Sequence, residues 1–106
     1  MSLIHFKAGV DVSQQAILTA AIVNAATDLG LPDMVITSGR DGTHLTTSKH
    51  YSDEALDFRT KHLTGTEKHA LVAHIFTRLG RDYDVLLEQA GTPNEHGHVE
   101  YDPKEP

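Results

Sequence analysis

Two short blocks of this chain carry side chains that could do chemistry together. The first is Ser48-Lys49-His50-Tyr51-Ser52-Asp53-Glu54-Ala55-Leu56-Asp57, and the second is Glu95-His96-Gly97-His98. They supply an imidazole (His50), a carboxylate (Asp57), a second imidazole (His98) and a spare carboxylate (Glu95). That set matches a catalytic zinc site, in which three protein ligands leave one position for water and a nearby base removes its proton. The chain has no cysteine, so a transition-metal site must be built from His, Asp or Glu, and disulfides play no part in the fold. Imidazole and carboxylate together suit a borderline cation, with zinc the default choice.

Three further residues belong to the same reading. Arg40 follows a short β-branched run, and its planar fork suits a substrate carboxylate or a developing oxyanion. Ser48 can orient a ligand or a substrate carbonyl by hydrogen bonding. His96 shares a strand side with His98 under regular pleating, whereas Glu95 points away unless it sits in the turn before the pleat begins. Each residue also has a plainer reading. A lone His50 or His98 is a half-buried histidine satisfying backbone groups, and Asp57 is an ion-pair partner of Arg59 or Arg40. Arg40 is a solvated loop cation, Ser48 a turn hydroxyl and His96 a solvent-facing turn residue. His5, His44, His62, His69 and His74 have no mutual spacing that builds a site.

The elements that must position these groups follow from periodicity. Ser13 to Leu29 reads as a helix capped by Ser13 and ended by Gly30 and Pro32. Residues 33–38 read as a strand, 39–48 as a polar loop, and Glu54 to Arg59 as a second strand with Ala55 and Asp57 on one side. A second helix opens at Thr66, with Thr66 and His69 as a cap lacking the reciprocal Glu. Its apolar stripe is Leu71, Val72, Ile75, Phe76 and Leu79, and Gly80 ends it. Asp84 to Gln89 and His96 to Tyr101 read as two strands of an antiparallel hairpin joined through Gly91-Thr92-Pro93-Asn94. The expected fold is α+β: two helices packed on a small, largely antiparallel sheet. It forms one domain over 1–106 with a frayed tail at about 102–106.

Composition narrows the partners. Fifteen acidic against nine basic residues give a net charge of −6 with no basic cluster, which argues against nucleic acid. No apolar run approaches a bilayer span, and the first residues lack the pattern of a signal peptide, so neither membrane insertion nor export by an evident leader is expected.

The two blocks resemble those of the zinc-dependent peptidoglycan peptidases with the hedgehog/DD-peptidase fold. That family includes D-Ala-D-Ala carboxypeptidases, dipeptidases and phage L-alanyl-D-glutamate endopeptidases. Its Ser-x-His-x-x-Gly-x-Ala-x-Asp pattern is similar to the run carrying Ser48, His50, Ala55 and Asp57, with Asp53 where the family usually has Gly. Its acidic residue three before a ligand His is similar to Glu95 and His98, and its Ser-Gly-x-Arg-like segment to Ser38, Gly39 and Arg40. The resemblance runs from about Ile36 to Tyr101, with the blocks in the family's order. It implies that His50, Asp57 and His98 bind Zn2+, that Glu95 is the general base for a zinc-bound water, and that Arg40 stabilises the transition state. The implied partner is peptidoglycan or its stem peptide. The implied setting is a protein made in the cytoplasm and released by phage lysis or carried on a virion. The alternative is a non-catalytic metal-binding or virion-structural domain that keeps the fold.

Overall fold

The computed structural model describes residues 4–8, 16–38 and 55–102. Ser13, Arg40, His44, Ser48, His50 and the tail beyond 102 lie outside the described residues. Among the described residues, two helices pack against a five-stranded mixed sheet, an α+β arrangement as the periodicity predicts. The elements in chain order are β1 (Ile4–Phe6), α1 (Ala16–Asp28), β2 (Met34–Ser38), β3 (Ala55–Phe58), α2 (Gly65–Leu79), β4 (Tyr83–Glu88) and β5 (His96–Tyr101). Neither helix among the described residues is long and apolar enough to cross a membrane.

The strand order is β1-β2-β3-β5-β4. β1 pairs with β2 in parallel, and the other three pairings are antiparallel. The hairpin of β4 and β5 forms as its turn residues predict, and β5 then lies between β4 and β3. β1 has no counterpart in the sequence reading: three residues are too few for a periodic signal.

Alternation along the strands sorts the sheet into two faces. Met34, Ile36, Leu56, Phe58, Val85 and Val99 point toward the helices. There they join Leu18, Ile22, Ala25 and Ala26 of α1 and Leu71 and Ile75 of α2 in one core cluster. The other face carries Asp57 on β3, Leu86 and Glu88 on β4, and His96, His98 and Glu100 on β5. Gly97, between the two histidines, faces the core. A Cβ there would overlap the ring of Phe58, which is fully buried, so the strand approaches the ring as closely as only glycine permits.

Helix ends follow local chemistry. In α1, Leu31 N–H reaches back to the Ala26 carbonyl at 3.0 Å over Gly30 at φ 68°, a Schellman stop. The start of α2 differs from the sequence expectation. Thr64, not Thr66, is the cap. Its hydroxyl accepts from Glu67 N–H at 3.1 Å, while Glu67 Oε1 accepts from Thr64 N–H at 2.9 Å. The reciprocal Glu that Thr66 lacks exists for Thr64, and two orphan donors are satisfied at once. At its other end α2 is tied to α1, where Arg78 and His74 both reach Asp28.

Candidate metal centre

The register of β3 and β5 sets Asp57 directly opposite His98. Directly opposed side chains on one sheet face are neighbours, and here they touch: His98 Nδ1 lies 2.6 Å from Asp57 Oδ1. The second ring nitrogen, Nε2, lies 2.8 Å from Glu100 Oε1, two residues along the same strand. From β4, Glu88 Oε1 approaches Nδ1 at 3.9 Å. Both side chains of the central pair are largely shielded, at 13% exposure for His98 and 19% for Asp57.

Three carboxylates around one imidazole decide its charge. Burial of the ring pulls the pKa of His98 down. The hydrogen bonds to Asp57 and Glu100, with the added fields of Asp57 and Glu88, outweigh it and raise the pKa to about 9. A site this rich in anionic oxygen has one cation already, the imidazolium itself.

The same groups could hold a metal ion. Donor atoms of Asp57, Glu88 and His98 all lie within 4.8 Å of one another. Donors on one tetrahedral zinc, each about 2 Å from it, stand roughly 3.4 Å apart. Small side-chain rotations would bring the donors to that spacing once His98 gives up a proton to free a ring nitrogen, and one nitrogen with two carboxylate oxygens is an acceptable donor set for a borderline divalent ion. A second group, Asp84, Glu100 and Asp102, meets the same distance criterion with oxygen donors alone.

Glu95 occupies a different setting. It lies one residue before β5 begins, outside the regular pleat, as its sequence assignment requires. Its side chain is 4% exposed and fully engaged. Lys68 of α2 donates to Oε1 at 2.9 Å and to Oε2 at 2.8 Å, the fully buried Thr60 donates to Oε2 at 2.7 Å, and Gly91 N–H donates to Oε1 at 3.1 Å. Lys68, then Thr60, then Gly91 hold the carboxyl well below its usual range, at about 2. A carboxylate so stabilised is a weak base, and proton transfer through it requires release from Lys68.

This network ties stability to acidity in a defined direction. A carboxylate whose pKa is lower folded than unfolded stabilises the fold above its ordinary pKa of 4.5, and that contribution is lost as pH falls toward 2. Urea denaturation midpoints of the wild type should therefore drop between pH 5 and pH 2. Glu95→Gln should flatten that limb and, at neutral pH, cost about 2–4 kcal/mol by leaving Lys68 without its partner. An equally steep acid limb in Glu95→Gln would assign the dependence to other carboxylates.

His96 joins the same end of the sheet. Its Nδ1–H donates to the Asn94 carbonyl at 2.8 Å, and Nε2 lies 3.0 Å from Glu88 Oε1, so Glu88 links the two histidines of β5. A cleft of about 320 Å3 opens here, lined in part by Asp57, Glu95 and His96. Of the residues singled out by sequence, Asp57, His98 and His96 thus share one region, with Glu95 at its border. Arg40, Ser48 and His50 lie outside the described residues. His5 and His62 are used elsewhere, on the Asp33 side chain and carbonyl respectively.

Sequence reasoning passed over Glu88, Glu100, Thr60 and Lys68. Glu100 had a signal, since it stands two residues after His98 and alternation puts both on one side. Glu88 follows once the hairpin register is known. Lys68 and Thr60 carry no sequence signal, because their link to Glu95 depends on how α2 and the chain before it meet the turn ahead of β5. A scan against models of protein families finds none that matches the chain, and a search of curated proteins finds no match either.

Proposed function

We propose that this chain is a zinc-dependent peptidase acting on the peptide of the bacterial cell wall. The observation that carries the reading is the contact between Asp57 and His98, the two described members of the predicted ligand set, at 2.6 Å on the sheet face opposite the described helices. The resemblance of the two sequence blocks to the hedgehog/DD-peptidase family supports the assignment, and the α+β architecture is compatible with that fold. His50 is the proposed third ligand, with Glu88 the described side chain best placed to serve beside the pair. When bound, zinc supplies a Lewis acid and a water of lowered pKa. The protein's own part is to hold Asp57 and His98 in register through paired strands and to present a cleft beside them. Arg40 is proposed to stabilise developing negative charge, Ser48 and His96 to orient substrate, and Glu95 to move the proton once freed from Lys68. Release by phage lysis or carriage on a virion is the setting that fits such an activity.

A second reading has one observation in its favour. Glu95 is saturated by Lys68, Thr60 and Gly91, as a structural carboxylate would be. On that reading the chain binds a metal and serves as a recognition or virion-structural domain without turnover.

Digestion of purified peptidoglycan in the presence of zinc, with mass spectrometry of the new termini, separates the two. The peptidase generates one defined class of new peptide termini, and Asp57→Asn abolishes them. A protein that binds zinc at one ion per chain but releases no termini is the non-catalytic domain.

A further inference from the structure

We infer that the cleft beside Asp57 is an anion-binding subsite built by Lys7, Arg59 and Lys61. These three side chains line the same 320 Å3 cleft as Asp57, Glu95 and His96. Its charges do not balance. Asp57 is already hydrogen-bonded to His98 and Glu95 is ion-paired with Lys68, so both acidic groups of the cleft are engaged by other partners. The three cations of the lining are paired with neither. Lys61 Nζ donates to a neutral acceptor, the Pro93 carbonyl, at 2.7 Å. Among the described residues, the side chains of Lys7 and Arg59 form no ion pair or hydrogen bond.

Both are anchored at the backbone. Lys7 N–H donates to the Ile36 carbonyl and Arg59 N–H to the Val35 carbonyl, each at 2.9 Å. The two residues therefore leave hydrogen-bonded chain on either side of β2. Thr37, also in the lining, sits where the register of β2 against β3 slips. The irregularity is of the kind that re-aims a side chain. An arginine fork, two ammonium groups and a hydroxyl form a donor set for the oxygens of a carboxylate or a phosphate. The concentration of unmatched positive charge is notable in a chain of net charge −6. The volume is at the small end for a ligand pocket and takes one charged group with a short attachment.

The ligand class is thus a small molecule or peptide group ending in an anionic oxygen cluster, held next to the Asp57–His98 pair. That an anion binds is independent of the peptidase reading. That the anion is a charged group of the substrate rests on that reading.

The test follows backbone amide NMR shifts of the metal-free full chain at low ionic strength. One titration uses sodium phosphate and a second uses N-acetylglycine. Saturable shifts are expected at Lys7, Thr37, Arg59 and His96, weakening as sodium chloride is added. Saturation by phosphate alone identifies a phosphoryl ligand, and saturation by N-acetylglycine identifies a carboxylate. The double variant Lys7→Gln/Arg59→Gln, both positions being exposed, should bind about five- to tenfold more weakly with its fold unchanged. No saturable shift with either probe, or equal binding by the double variant, overturns the inference. Because binding is read without metal or turnover, the two claims fail separately. A chain that binds anions but cleaves no peptide refutes the peptidase alone, and one that cleaves without saturable shifts refutes the subsite alone.

Discussion

Asp57→Asn is expected to weaken zinc binding by on the order of 100-fold or more while leaving the fold in place. The substitution keeps size and one acceptor oxygen but removes the charge that faces His98 across the strands. A ligating carboxylate contributes more than an outer partner of a metal site, and losing even an outer partner typically costs 10- to 100-fold in affinity. Competition against a chromophoric chelator gives the affinity, and far-ultraviolet circular dichroism reports the fold. Asp84→Asn is the matched control, because Asp84 belongs to the second acidic group with Glu100 and Asp102. It should bind zinc as the wild type does. Equal affinities for wild type and Asp57→Asn would remove the metal centre from this face of the sheet. A loss confined to Asp84→Asn would move the centre to the oxygen-only group.

Gly97→Ala should be the most destabilising single methyl that can be added to β5. The new Cβ overlaps the ring of Phe58, and that ring is fully buried, so it has no exit to solvent. Overpacking of this kind costs about 3 kcal/mol, only partly offset by the better strand propensity of alanine. For a domain of this size that corresponds to a fall of roughly 12–20 °C in melting temperature. Phe58→Leu alone leaves the ring's space partly empty, yet combined with Gly97→Ala it should recover part of the loss. A double-mutant cycle with a coupling of 1 kcal/mol or more would attribute the cost to this contact. Additive effects would place it elsewhere. The flanking His96 and His98 make the position look like part of a site in the sequence, but its glycine answers to the core behind it.

That contrast shows what the sequence could and could not convey. β3 and β5 were legible, because Ala55 to Phe58 and His96 to Tyr101 alternate between a face that meets the helices and one that does not. The pairing of Asp57 with His98 was anticipated from strand proximity, and the register makes them direct partners. The helices followed from their apolar stripes, while the start of α2 was displaced by two residues because two threonines compete for the cap and only Thr64 has a glutamate at the reciprocal position. The surroundings of Glu95 were illegible for a physical reason. Lys68 lies 27 residues away, on the other side of a helix and a strand, and no local periodicity encodes such a meeting. Neither did anything mark Lys7, which reaches the cleft only because β1 pairs in parallel with β2.

The placement of β5 between β3 and β4 has a consequence for how the molecule comes into being. As the chain is synthesised, β4 is made before β5, its sheet neighbour among the described residues, and Asp57 is made 41 residues ahead of His98. Without β5, the described strands β3 and β4 have nothing to join them, and Asp57 has no His98 opposite it. Docking of β5 therefore closes the sheet and brings His98 to Asp57 together, because both depend on the same two pairings.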